Sequence, residues 1–251
     1  MRNICLKLSY SGKNYHGWQI QRNALTVQEV FQKALKKVLH ESDVEIKGCS
    51  RTDAGVHANE YFVSFKTDSL ISLERLPFAL NYFLPKDISI KKALEVPIDF
   101  HARYSCVFKE YIYKIWNHRV RNPFLDGYVF HYWYKLDVDY LNECASYFAG
   151  KHDFTSFCTL DKRDKKFLVR NVEYFKVFIE NDFVIFKVKA DGFLYNMVRI
   201  MIGTLLKFNK NKENPQKIRD IILAKDRSLA GPTAVPQGLY LNRVFYKGIN
   251  C

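Results

Sequence analysis

Four short stretches of this 251-residue chain gather side chains that can do chemistry. The first is Cys49-Ser50-Arg51-Thr52-Asp53-Ala54-Gly55-Val56-His57, which crowds an arginine, a carboxylate and an imidazole into one loop between two expected strands. Such a loop on a rigid scaffold is a common place for functional side chains. The plain alternative is a turn in which Asp53 accepts backbone N–H bonds and Gly55 supplies a positive φ. The second, Phe108-Lys109-Glu110-Tyr111-Ile112-Tyr113-Lys114, sets two tyrosines on one strand face between lysines. That arrangement suits stacking on an unpaired base with phosphates in reach, or simply cross-strand aromatic packing.

The third stretch runs from Phe193 to Thr204 and places Arg199 among Val198, Ile200, Met201 and Ile202. A guanidinium in apolar surroundings asks for a carboxylate, and Asp53 is one candidate; otherwise its stem snorkels to water. The fourth, Gly150-Lys151-His152-Asp153-Phe154-Thr155-Ser156-Phe157, holds the residue types of a hydrolase triad. It lacks the G-x-S-x-G turn that exposes a serine, so a structured loop is expected. Glycine-rich nucleotide motifs are missing, which argues against ATP- or NAD-driven chemistry.

The elements that must position these residues follow from periodicity. Ile4, Leu6 and Leu8 alternate with polar neighbours as in a half-buried strand. Thr26 and Glu29 have capping-box spacing and Leu25 and Val30 staple spacing, opening a helix whose face carries Val27, Phe31, Leu35 and Val38. Strands are expected at Val44–Gly48 and Tyr61–Phe65, a helix after Ser72, and a strand at Ile88–Ala93. The second half repeats this order: a strand at Val107–Trp116, a helix at Tyr140–Phe148, and a hairpin at Val172–Ile179 and Phe183–Ala190. An apolar helix at Asn196–Phe208, a helix opened by Asn214-Pro215, and a strand at Leu239–Tyr246 complete it. The chain therefore reads as α+β in two similar halves, residues 1–97 and 98–251, divided at the turn Val96-Pro97-Ile98-Asp99.

Composition narrows the class. Hydrophobic content of 48% and charged content of 26% exclude a disordered or fibrous chain. No run of about 18 apolar residues exists to span a membrane, and the alternating N-terminus reads as a strand rather than a signal. Cysteines at 5, 49, 106, 144, 158 and 251 have neither C-x-x-C nor zinc spacing, so reduced thiols and no metal are expected in a cytoplasmic protein. The net charge of +13 favours a polyanionic partner. It is lopsided: residues 1–100 carry 14 Lys+Arg against 11 Asp+Glu, and residues 101–251 carry 25 against 15. Arg119, Arg121, Lys162, Arg163, Lys165 and Lys166 are the expected phosphate contacts.

Taken together the chain resembles the TruA family of tRNA pseudouridine synthases along almost its whole length. The resemblance lies in Tyr10 through Gln21, Arg51 through Ala58, Asn81 through Ile88, Asp99 through Arg103 and Lys109 through Tyr113. Gly150 through Phe154, Phe193 through Thr204 and Ala230 through Ala234 continue it in family order. It implies two related α/β halves of RRM or ferredoxin-like type, joined into one mostly antiparallel central sheet flanked by helices, with a basic active-site cleft. It also implies a homodimer that converts uridine to pseudouridine without cofactor or metal. By the same resemblance Asp53 is the nucleophile, Tyr111 stacks on the target uracil, and Arg199 pairs with Asp53. Arg51, His57 and Arg103 then contact RNA. Uridines 38–40 of the tRNA anticodon stem-loop are the first expectation; another tRNA site, ribosomal RNA, or a non-catalytic RNA-binding or RNA-folding protein on this scaffold are the alternatives. Two places depart from the family pattern: Cys49-Ser50 stands where Ala-Gly is common, and Glu60-Tyr61 where Gly-Gln is common.

Overall fold

The alternation beginning at Ile4 produces β1 (Arg2–Tyr10), the opening strand of a computed structural model that describes residues 1–159 and 168–248. Thr26 caps α1 (Val27–Leu39) as its spacing predicts, its hydroxyl oxygen accepting the Glu29 amide. The reciprocal half of the box is diverted, because the Glu29 carboxylate meets Lys33 Nζ at 2.6 Å one turn on. The staple adds little, since Leu25 stays 49% exposed. Next come β2 (Lys47–Gly48), shorter than expected, β3 (His57–Thr67), α2 (Arg75–Phe83) and β4 (Ile88–Val96). Ser72 Oγ accepts the Arg75 amide at 3.2 Å and so sets the start of α2.

These elements form one compact unit, Met1–Val107 with Tyr240–Cys251. Its strands lie in the order β4-β1-β3, with β2 also on β3, and each of these pairings is antiparallel. Strand order 4-1-3-2 in a β-α-β-β-α-β chain is the ferredoxin-like arrangement. The last strand, β10 (Leu239–Tyr246), joins β3 in parallel, matching Tyr240 to His57 and Leu241 to Ala58. Ile4, Leu6 and Leu8, Phe31 and Leu35, and Leu76 and Leu80 are all buried in this unit's core.

The division falls at 107/108 rather than at the Val96-Pro97 turn, and the final strand returns to the first unit. Hydrogen bonds explain this. Asn3 Nδ2 donates to the carbonyls of Pro97 at 2.8 Å and Phe100 at 2.9 Å. The Ala102 amide reaches Ser64 Oγ, and the Ala102 carbonyl accepts from the Tyr246 hydroxyl.

The second unit, Phe108–Leu239, is built on β5 (Cys106–Trp116), β8 (Val169–Glu180) and β9 (Phe183–Ala190). Its helices are α3 (Val138–Ser146), α4 (Met197–Asn211) and α5 (Lys217–Ala224). The expected hairpin forms, turning through Asn181 at φ 54°. Two short strands escape the sequence pattern: β6 (Phe130–His131), parallel to β5, and β7 (Gly150–Asp153), antiparallel to β8. The stretch expected to be a loop at 150–157 is thus a strand and a 3₁₀ turn over Thr155–Phe157. The succession β5, α3, β8, β9, α4 repeats that of β1, α1, β2, β3, α2, and β5-β9-β8 pair as β1-β3-β2 do. The chain is α+β with mostly antiparallel strand pairing.

Candidate functional site

In the first unit the Asp53 loop links β2 to β3, and the chain from Tyr10 to Trp18 wraps it. The Trp18 amide donates to the Thr52 carbonyl at 3.2 Å, and the Gly55 amide to the Tyr15 carbonyl at 3.1 Å. Gly12 donates its amide to His57 Nδ1 at 3.0 Å. Two glycines make that wrapping sterically feasible. A Cβ on Gly12 would fall 2.1 Å from the Val56 carbonyl oxygen; one on Gly17, at φ +84°, would fall 2.3 Å from that of Thr52. Asp53 and Gly55 turn the chain, with Gly55 at φ +77° and the Val56 amide donating to the Asp53 carbonyl at 3.1 Å. The amides of Gly55 and Val56 are therefore taken by backbone carbonyls, which close the turn around the half-buried Asp53. Arg51, two residues before it, is exposed.

Arg103 sits elsewhere in the same unit. Its neighbour Ala102 is bonded to Ser64, seven residues along β3 from His57, which is about 20 Å at strand rise. The guanidinium of Arg103 lies over the Tyr104 ring at 5.7 Å. His57 is buried, 1% exposed, where it holds Gly12 and stacks on Tyr240 at 4.5 Å and 20°. Its reach is to the loop's own scaffold.

The second unit gathers the other two. Tyr111 on β5 meets Phe193 edge to face at 4.9 Å. Two residues on, and on the same strand face, the Tyr113 hydroxyl donates to the Val235 carbonyl at 2.8 Å. Arg199, in the first turn of α4, donates Nη1 to Asn196 Oδ1 at 2.9 Å and Nε to the Ala234 carbonyl at 2.8 Å. Tyr111 and Arg199 are thereby tied to the same segment, 193–196. Burial drives the Tyr113 phenol well above its ordinary value, and the Arg199 charge acts in the opposite sense. Helix α4 and the 230–234 stretch pack backbone to backbone: a Cβ on Gly203 would fall 1.7 Å from the Pro232 carbonyl oxygen, and the Gly231 amide donates to Thr204 Oγ1.

Asn196 falls inside the family-like stretch from Phe193 to Thr204, but no pattern marks its side chain as a partner of Arg199. It takes the left-handed φ of 61°, which asparagine tolerates, and aims its side chain at Arg199 and Thr159. The buried rings of Tyr10, Trp18 and Tyr61 beside the Asp53 loop are also unannounced by pattern, though Tyr10 and Trp18 fall inside a family-like stretch. The hydrolase trio dissolves. Ser156 Oγ is buried and donates to the Ile221 carbonyl, His152 Nε2 lies 2.8 Å from the Ala149 carbonyl, and Asp153 binds Thr155 and Lys225. Lys162, Arg163, Lys165 and Lys166 lie outside the described residues. Among the described residues no group of three or more His, Cys, Asp or Glu is placed to hold a metal ion, and no helix is long and apolar enough to cross a membrane.

A family model described as tRNA pseudouridine synthase matches residues 8–105 and 144–247, which takes in Asp53, Arg103 and Arg199. The tRNA pseudouridine synthase A of a Thermoanaerobacter species is 45% identical over 246 residues, covering 98% of this chain and all of the relative. A protein called tRNA pseudouridine synthase A 2 from Clostridium perfringens is 46% identical over 247 residues, with coverage of 98% and 100%. A chain from a crystal structure of a Cbf5-Nop10-Gar1 complex aligns over 96% of this chain and 50% of its own, at 15% identity and a TM-score of 0.39.

Proposed function

The chain belongs to the tRNA pseudouridine synthase family, and from that premise we propose that it isomerises uridine in the anticodon stem-loop of tRNA, at positions 38–40, with Asp53 as nucleophile. The observation that carries the Asp53 assignment is its turn. The amides of Trp18, Gly55 and Val56 meet the carbonyls of Thr52, Tyr15 and Asp53, so the backbone of the loop that carries the carboxylate is pinned from both sides. A rigid, half-buried carboxylate of this kind suits attack at C1′ of the ribose or C6 of the uracil.

The reaction conserves atoms and electrons. The N1–C1′ bond breaks, the uracil turns, and a C5–C1′ bond forms; C5 loses a proton and N1 gains one. The target must first leave its stack, which costs a few kcal/mol, and stacking on an aromatic ring returns about 1–3 kcal/mol. Tyr111 is assigned that stacking. Its ring is met edge to face by Phe193 at 4.9 Å. Arg199 is assigned to favour the ionised nucleophile, an effect that strengthens where water is excluded. Arg51, exposed two residues before Asp53, is assigned to displace or hold the flipped nucleotide. His57 and Arg103 serve less directly, His57 by holding the loop and Arg103 by contributing positive charge to the RNA-binding surface. Following the family, the protein acts in the cytoplasm as a homodimer, which sedimentation of the purified protein reads directly.

Incubating the purified protein with tRNA transcripts and mapping pseudouridine tests this reading. Wild type should modify uridines 38–40, and Asp53→Asn should bind RNA but form no product. Appreciable turnover by Asp53→Asn removes the nucleophile; product only at another tRNA position or in ribosomal RNA removes the anticodon assignment.

A further inference from the structure

Two tyrosine hydroxyls grip the chain on either side of Arg51. The Tyr61 hydroxyl donates to the Ser50 carbonyl and accepts the Ser50 amide, so one side chain brackets both polar groups of that residue. The Tyr10 hydroxyl lies 2.8 Å from Thr52 Oγ1. The two rings stand 5.5 Å apart, and Trp18 stacks on both, at 4.1 Å from Tyr61 and 6.1 Å from Tyr10. All three rings are buried. The main chain of Trp18 adds a further hold through the Thr52 carbonyl. Space is tight on the far side as well, since a Cβ at Gly48 would fall 2.5 Å from the Tyr61 oxygen and 2.7 Å from Trp18 Nε1.

Buried tyrosine hydroxyls need partners, and many find a stray carbonyl. Here both find the same three-residue run, Ser50 to Thr52, which ends one residue before Asp53. The two departures from the family pattern also meet at this point, because Tyr61 belongs to one and Ser50 to the other. They are the two ends of a single contact.

We propose that Tyr61 and Tyr10 are positioning residues for Asp53, a pair of hydroxyl clamps that fix the approach of the carboxylate rather than the binding of RNA. The proposal rests on Asp53 being the nucleophile. Misplacing a reacting group by about 1 Å can cost on the order of 100-fold in rate, so clamps of this kind act on the chemical step.

Tyr61→Phe, Thr52→Val and Thr52→Ser separate the roles, because the first two remove a hydroxyl at nearly constant volume and the third removes a methyl while keeping the hydroxyl. Single-turnover pseudouridine formation at saturating enzyme, RNA affinity and thermal midpoint are read on each. Tyr61→Phe and Thr52→Val should slow the single-turnover rate at least tenfold with affinity within about twofold of wild type, and Thr52→Ser, which keeps the hydroxyl, should recover most of the rate. Full activity in both Tyr61→Phe and Thr52→Val beside an active wild type overturns the clamp alone, as does a Thr52→Ser no better than Thr52→Val. A wild type that forms no pseudouridine in any tRNA overturns the functional reading, and the clamp with it.

Discussion

Arg199 and Ala234 exchange two hydrogen bonds: the guanidinium Nε donates to the Ala234 carbonyl at 2.8 Å, and the Ala234 amide donates to the Arg199 carbonyl at 3.0 Å. With Nη1 on Asn196, the side chain is held along two edges of its plane. Lysine carries a point charge and no fork, so it cannot reproduce this hold. Arg199→Lys should therefore fold normally yet lose about 100-fold in single-turnover rate, the scale of one preorganised donor. Circular dichroism and RNA affinity near wild type, with the rate collapsed, are the expected set. A lysine variant with full activity would show that charge alone suffices.

Gly17 offers a cleaner test of the loop's packing. Alanine there meets the left-handed φ and the Thr52 carbonyl together, costing about 1–2 kcal/mol in backbone strain and about 1–3 kcal/mol in overlap. Gly248 is the control: its φ is +76°, but nothing lies within 4 Å of a Cβ placed on it. Urea unfolding should show Gly17→Ala destabilised well beyond Gly248→Ala. Equal losses would mean that the Thr52 contact yields without cost.

These glycines mark the limit of what sequence periodicity reveals. Amphipathic repeats located β1 and α1 because a buried face leaves a period behind it, whereas α4 stood out as an apolar run. By composition the Asp53 loop and Arg199 show only a carboxylate in a turn and a cation among apolar residues, and their expected roles come from the resemblance alone. What no period encodes is tertiary partnership. That the Tyr61 hydroxyl would bracket Ser50, or that Asn196 would face Arg199, depends on strands and turns brought together by the fold. The short strand β7 was missed because Gly150-Lys151-His152-Asp153 has no apolar alternation; its pairing comes from β8. The hold of His57 Nδ1 on the Gly12 amide is another such partnership that no spacing encodes.

Asp153 predicts a pH dependence of stability. Partial burial by itself would raise its pKa, but the Thr155 hydroxyl, at 2.5 Å, and Lys225, at 2.9 Å, outweigh it and hold the carboxyl below the ordinary 3.8. A depressed folded-state value means the unfolded chain binds the proton more readily. The stabilisation is then complete above about 3.8 and is lost as pH falls through the depressed value. Asp153→Asn should thus be less stable than wild type at pH 7, with the gap closing as the medium is acidified below that range. Urea midpoints across pH measure it. A gap that widens in acid would contradict the sign.

The net charge of +13 carries the last prediction, and its uneven placement makes the test sharper. Arg119 and Arg121 are exposed in the second unit, on the stretch that follows β5. Cations that neutralise phosphates release counterions, so affinity should fall steeply and log-linearly with salt. Each phosphate contact contributes about −0.7 to −0.9 to the slope. Replacing both arginines with alanine should flatten the slope by about 1.5 if each holds one phosphate. Contacts of this kind fix orientation without reading bases, so the loss should be similar for every tRNA tested. An unchanged slope would remove Arg119 and Arg121 from the RNA surface; a wild-type profile flat in salt would mean that the excess charge does not bind the phosphate backbone at all.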